Sequence, residues 1–168
     1  MTAVETCRLV PEQILVRPAG NADLLSIVAI EACSFEDPWP ATDFNRLQRS
    51  PFCEILVAES TGDGICGFSV SRYYAGVGEL LNLAVLPGTR RQGCGKLLVE
   101  TVKSRSVIHS CEQLSLEVRH SNRAAIALYA KSGFKATEVI KEYYADGEAA
   151  LVMVLKLPEK METDHESP

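Results

Sequence analysis

Arg90-Arg91-Gln92-Gly93-Cys94-Gly95-Lys96-Leu97-Leu98 reads as a glycine-kinked, basic loop that runs directly into a helix. A junction of this kind holds phosphates. Glycine lets backbone N–H groups turn toward a ligand without a Cβ in the way, a helix start carries partial positive charge, and Arg90, Arg91 and Lys96 add full charges. The loop therefore predicts a ligand with a pyrophosphate. Two commoner phosphate loops fail on the letters. A P-loop, G-x-x-x-x-G-K-[ST], counted from Gly88 reaches Gly93 and then meets Cys94 where lysine is required; a dinucleotide fingerprint counted from Gly93 puts Leu98 where a third glycine or alanine belongs. An ordinary glycine-bearing loop ahead of a helix is the alternative.

The flanking elements fit this loop. Glu79 to Val85 reads as a strand, the helix runs from about Gly93 to Ile108 with Leu97, Leu98, Val102 and Val107 as its buried stripe, and Leu114 to Val118 alternates with period two as the next strand. Such a strand-helix-strand unit implies parallel pairing or a near-parallel splay. Further out, Ile14 to Pro18 is a strand, and Asn21 caps a helix over Ala22 to Cys33 in which Leu24, Leu25, Val28 and Ala32 keep helical spacing. Phe35 to Pro40 is a proline-bearing loop and Thr42 to Gln48 a short helix. Cys53 to Glu59 and Ile65 to Ala75 are strands joined by the turn Thr61-Gly62-Asp63-Gly64. Asn122 to Ser132 is a helix stopped by Gly133; Phe134 to Tyr144 and Ala149 to Leu157 are closing strands around Asp146-Gly147. The fold class is α/β with a mixed sheet, about seven strands flanked by about four helices, without an internal repeat or a second domain. That domain covers residues 14–157, between a lead-in over 1–13 and a disordered tail over 158–168 that is nearly all polar or charged.

Composition narrows the function. At 168 residues with 46% apolar content, a single domain can bury a sizeable core. The net charge of −5 argues against a nucleic-acid surface and leaves a basic peptide as a suitable partner. Six cysteines stand singly and the three histidines have no ligand spacing with them, so neither a metal site nor a disulfide framework is expected. Residues 1–13 lack the apolar core of a secretory signal, and no stretch approaches the ~20 apolar residues of a membrane-spanning helix. A cytoplasmic protein with reduced thiols is expected.

Acyl transfer from a thioester to an amine needs a base for the amine, a place for the oxyanion and a proton for the departing thiolate. In the strand Leu114 to Val118 the three apolar residues share one face, which leaves Glu117 on the other as a candidate base; a glutamate on a partly solvated strand face is the plainer reading. Asn122, Ile126, Tyr129 and Gly133 fall on one helical stripe, so Tyr129 can face what Asn122 faces and act as an acid, or simply pack in the core. Cys94 has no histidine placed to activate it, so direct attack of the amine is simpler than a covalent acyl-enzyme.

Read as Arg/Gln-x-x-Gly-x-Gly/Ala, the loop is joined by Leu80 to Val85, Leu116 to Tyr129, Ser132-Gly133-Phe134, Pro38-Trp39 and Tyr143-Tyr144. On these residues the chain, from about Ile14 to Leu157, resembles the GCN5-related N-acetyltransferases, and among them the bacterial ribosomal-protein-alanine and related protein N-terminal acetyltransferases. The resemblance implies that superfamily's fold, acetyl-CoA as acetyl donor, Glu117 as general base and Tyr129 as general acid. It implies that Leu83, Ala84 and Val85 offer backbone groups to the acetyl-pantetheine arm, a bulge there freeing the Val85 N–H for the oxyanion. Arg90, Arg91, Gln92, Gly93, Cys94, Gly95 and Lys96 would cradle the pyrophosphate, and Asn122 would bind the coenzyme farther along. The acceptor would enter between Phe35, Pro38 and Trp39 on one side and Tyr143 and Tyr144 on the other. By the same resemblance the acceptor is a protein N-terminus, the N-terminal alanine of a ribosomal protein; a monomer or weak dimer is expected. A lysine side chain or small amine as acceptor, or a non-catalytic acetyl-CoA-binding module, are the alternatives. Leu86 stands where the family usually has an acidic residue, Lys96 replaces arginine, and Glu36-Asp37 and the short turn from Tyr144 to Glu148 alter the presumed groove.

Overall fold

The computed structural model describes residues 13–62 and 64–158. In chain order these form β1 (Ile14–Pro18), α1 (Leu24–Ser34), α2 (Ala41–Gln48), β2 (Cys53–Ser60), β3 (Gly64–Tyr74), β4 (Val77–Val85), α3 (Cys94–Ile108), β5 (Gln113–Arg119), α4 (Arg123–Lys131), β6 (Lys135–Ile140) and β7 (Ala150–Lys156). The lead-in, except Gln13, and the tail, except Pro158, lie outside the described residues, as does Asp63 of the turn expected between β2 and β3.

The strands make one mixed sheet in the order β1-β2-β3-β4-β5-β7-β6. Every neighbouring pair is antiparallel except β4 and β5, which the long helical connection through α3 makes parallel. Strand alternation gives the sheet two apolar faces. On one, Leu98, Val99 and Val102 of α3 pack with Leu80, Leu114, Leu116 and Val118, and with Tyr129 and Phe134 around α4. On the other, Ile27 and Ile30 of α1 and Phe44 of α2 pack on Ile55, Val57, Phe68, Val70 and Ala84. Burying each such side chain stabilises the fold by about 1.5–3 kcal/mol, and both faces are filled as far as β4.

Three local expectations are corrected. The buried face of α3 is Cys94, Leu98, Val99, Val102 and Ser106, not the stripe containing Leu97, which is 37% exposed. Packing on β3 and β4 selects the residues spaced by four from Cys94, and Leu97 sits about 100° around the helix from Leu98. Asn21 caps no α-helix: a 3-10 turn over Asn21–Asp23 precedes α1, Asp23 accepts the Gly20 N–H at 2.7 Å, and the altered phase buries Ile27, Ile30 and Glu31 while Leu25 is 83% exposed. Finally β6 stops at Ile140, so Tyr143 and Tyr144 lie in the connection to β7 rather than in a strand; Glu142, at φ +51°, breaks the extended run.

Beside β3, β4 carries one bulge. Val70 pairs with Asn82 but Ser71 pairs with Leu80, which leaves Leu81 as the extra residue. Leu80 and Leu83 therefore face α3, while Leu81 and Asn82, consecutive in sequence, both turn toward α1. This bulge lies earlier in the strand than the expected one at Leu83 to Val85.

Candidate active site

Pairing between β4 and β5 is confined to Val77–Glu79 against Gln113–Ser115, and beyond Glu79 the strands part. Both halves of the expectation, parallel pairing and splay, thus occur in one pair. On its other side β4 stays bonded to β3 up to Leu86, whose N–H donates to the Cys66 carbonyl at 2.8 Å. Because an antiparallel ladder alternates, Asn82 and Ala84 also turn their backbone groups to β3, and Leu83 and Val85 turn theirs into the gap. The splay, and not a local bulge, is what frees the Val85 N–H. The Val85 carbonyl accepts from Arg90 Nε at 3.0 Å, which folds Arg90 back along the same gap.

At the mouth of this gap the glycine loop turns into α3. Arg91 (φ +68°) and Gly93 (φ +92°) both take left-handed backbone, a pattern that points successive N–H groups into one concavity. Helical bonding begins with Leu97 N–H to Gly93 O at 2.9 Å, so the N–H groups of Cys94, Gly95 and Lys96 have no acceptor within the helix. Arg91, Gln92, Gly93 and Lys96 are exposed there. Gly95 is pressed against the fold: a Cβ would meet Leu128 Cδ2 at 3.2 Å and Val85 Cγ2 at 3.7 Å. Cys94 is different, being 1% exposed with its sulfur 3.6 Å from that of Cys66. Burial pushes its thiol up to about 12, so it packs the loop from below and offers no thiolate nucleophile.

Glu117 and Tyr129 sit on opposite faces of the sheet. Leu116 and Val118 point to α3 and α4, so Glu117 points to the other face, which α1 and α2 leave uncovered at β5, and it is exposed. Tyr129 reaches the same region from α4, 7% exposed and packed on Phe134 with ring centroids 5.8 Å apart. Burial raises its phenol well above the ordinary value, and Tyr144 adds to the shift. Tyr144 is shifted in turn: burial pushes its phenol up, Arg119 opposes this, and Tyr143, Glu117 and Glu148 push it further. Tyr144 therefore lies close enough to Tyr129, Tyr143 and Glu117 for their charges to be felt between them. Asn122 caps α4, its Oδ1 accepting the Ala125 N–H at 3.1 Å, which gives it a structural task at this position. Phe35 and Pro38 are exposed on the α1–α2 loop, whereas the Trp39 ring turns inward and packs 5.8 Å from Phe44.

One organising residue escaped the sequence reading. Arg119 lies 4.0 Å over the Tyr144 ring and donates to Asp146 and Glu148 at 2.7 Å each, and Glu148 also accepts the Ser121 N–H at 2.8 Å. It thereby ties the tyrosine-bearing connection to the end of β5. Its place two residues after Glu117 was the available signal, but its partners lie 27 and 29 residues away. The Ser121 bonds, then Arg119, hold the Glu148 carboxyl at about 2, below an ordinary value of 4.5. A depressed folded value means the tether is complete above pH 4.5 and lost as pH falls toward 2. The Tyr143 and Tyr144 ring resonances are expected to shift and broaden across that window in NMR spectra, and to lose this transition in Glu148→Gln.

A parallel pair opened at its C-terminal half, with a glycine loop at its mouth and Glu117 and Tyr129 on opposite faces of the sheet beside it, offers the groups that acyl transfer needs. The family model described as "Acetyltransferase (GNAT) family" matches residues 24–134, and the chain belongs to that family. It is 32% identical over 155 residues to an N-alpha-acetyltransferase of Sulfurisphaera tokodaii, covering 84% of this chain and 92% of that one. Against the [ribosomal protein bS18]-alanine N-acetyltransferase of Escherichia coli K12 it is 31% identical over 140 residues, covering 82% and 93%. The crystal structure of the ribosomal-protein-S18-alanine N-acetyltransferase from Escherichia coli superposes with a TM-score of 0.81 at 28% identity, over 90% of this chain and 98% of that one. The seven-strand, four-helix architecture is thus that of the family, and the protein is an N-acetyltransferase. Among the described residues no helix is long and apolar enough to cross a membrane.

Proposed function

We propose that this protein transfers the acetyl group of acetyl-CoA to the α-amino group of a protein N-terminus, the N-terminal alanine of a ribosomal protein, in the cytoplasm. The observation that carries this reading is the gap between β4 and β5 with Glu117 on one face and Tyr129 on the other. Support for a protein N-terminus comes from the relatives named for that substrate.

Acetyl-CoA is the acetyl donor for the family, and the residues present fit it. Left-handed Arg91 and Gly93 with the free N–H groups of Cys94, Gly95 and Lys96 suit a pyrophosphate, and the gap-facing backbone of Leu83 and Val85 suits an amide-bearing arm. Glu117 takes the proton from the amine, directly or through one water, because an α-amine titrates near ~8 and is mostly protonated at neutral pH. The Val85 N–H faces the position where negative charge develops on oxygen. Tyr129 returns a proton to the sulfur. Its raised pKa makes it a weak acid in water, but the same apolar surroundings destabilise a thiolate beside it and bring the two closer in proton affinity.

Gly95→Val is expected to weaken acetyl-CoA binding by at least about tenfold, since the side chain strikes Leu128 and Val85 and moves the cradle; isothermal calorimetry reads this directly. The acceptor is tested by assaying alanine-terminated ribosomal-protein peptides, N-blocked lysine peptides and polyamines side by side. Preference for the free N-terminus supports the proposal, and preference for either of the others overturns it.

A further inference from the structure

Glu31 is a charged residue buried in the face where an acceptor would bind, and the catalytic steps do not use it. It sits in the last turn of α1 with 1% exposure. Its Oε1 accepts the Trp39 N–H at 2.9 Å, and its Oε2 accepts from Asn82 Nδ2 at 3.0 Å. These partners lie 8 and 51 residues away in the chain and belong to the α1–α2 loop and to β4. Asn82 turns toward α1 in phase with Ala84, and the Leu81 bulge restarts the alternation so that Leu80 faces α3. Asn82 directly precedes Leu83, whose backbone faces the gap. Trp39 closes the loop carrying Phe35 and Pro38. A buried carboxylate is costly unless its lone pairs are filled, and here each oxygen has a donor. Burial nevertheless pushes the Glu31 carboxyl up, with the Trp39 and Asn82 bonds opposing it.

We infer that Glu31 is the positioning residue of the acceptor site, a strut that fixes the Phe35-to-Trp39 wall against the acyl-bearing end of β4 through Trp39 N–H and Asn82. The inference deepens the proposed function and rests on it. With the strut in place the loop presents one conformation to the incoming N-terminus; without it the loop keeps the Trp39 ring on Phe44 and, at its start, the Phe35 N–H to the Glu31 carbonyl at 3.1 Å, and loses its tie to β4. The role is acceptor-specific, because none of the three residues belongs to the glycine loop that takes the pyrophosphate.

The test uses the full chain with a saturating co-substrate in each arm. Glu31→Ala is expected to raise KM for the acceptor peptide about tenfold, the effect of losing charged hydrogen bonds, with KM for acetyl-CoA unchanged. Trp39 is the chain's single tryptophan, so its fluorescence reports the loop and should red-shift in this variant without any peptide present. Glu31→Gln keeps an acceptor for Trp39, and its amide can donate to a flipped Asn82, so it should stay close to wild type. Asn82→Asp faces one carboxylate with another and should reproduce the defect. Adding Glu31→Gln to Asn82→Asp restores a donor opposite an acceptor and should rescue both readouts, which a merely destabilised core would not allow. If Glu31→Ala does not fold, the Asn82→Asp variant and its rescue decide. Equal rises in both KM values, an unmoved tryptophan spectrum, or a failed rescue would overturn the strut. Wild-type protein that acetylates no N-terminal peptide would instead overturn the proposed function, while the fluorescence arm still reads the strut.

Discussion

Glu117→Gln is expected to lower kcat by about 100-fold or more at neutral pH while leaving the Kd for acetyl-CoA unchanged. Glutamine has the same shape as glutamate, and the residue stands on an exposed face of β5, so the fold should lose no more than about 0.5 kcal/mol. Only the capacity to accept the amine's proton is removed. The deficit should narrow as pH rises through ~8, because the free amine then arrives already deprotonated. Steady-state rates between pH 6.5 and 9.5, beside calorimetric titration with acetyl-CoA, check both parts. A variant that keeps the wild-type rate at pH 7, or a deficit that widens with pH, would show that another group is the base.

Phe44→Ala should have the largest effect on stability of any single truncation on the α1–α2 side of the sheet. The ring is 0% exposed, meets Phe68 edge-on at 5.5 Å and Trp39 at 5.8 Å, and closes the apolar layer shared by α1, α2 and the middle strands. Its removal loses the transfer energy of a phenyl group and leaves a cavity bounded by β2 and β3, strands too firmly paired to collapse into it. The expected cost is about 3–5 kcal/mol, or a fall in Tm of roughly 10 °C for a domain of this size. Scanning calorimetry measures it. A loss under about 1 kcal/mol would mean that the two clusters are not independent and that neighbours refill the site. Because Trp39 leans on the same ring, acceptor KM should rise together with the loss of stability, whereas Glu117→Gln separates catalysis from stability.

The local sequence was enough for the alternation of Leu114, Leu116 and Val118, the glycine-broken entry to α3 and the Asn122 start of α4. Each is decided within one or two turns of chain, by side-chain period, φ freedom or a cap. From these came the mixed sheet, the family resemblance and the positions of Glu117, Tyr129 and the loop from Arg90 to Lys96. Helix faces were less legible. The stripe assigned to α3 held at Leu98 and Val102 but not at Leu97, and that of α1 held at Leu24 and Val28 but not at Leu25, because a preceding 3-10 turn and contacts with β3 and β4, not hydrophobic spacing alone, choose which side is buried.

Which residue types could perform acyl transfer, and on which elements they sit, was readable from the order of the amino acids. Where β4 parts from β5, that the bulge falls at Leu81, and that Arg119 and Glu31 fasten the two walls of the proposed acceptor site emerge only from the folded chain. Those depend on hydrogen bonds between residues 8 to 51 positions apart, and the energy of such a bond leaves no trace in the spacing of either partner.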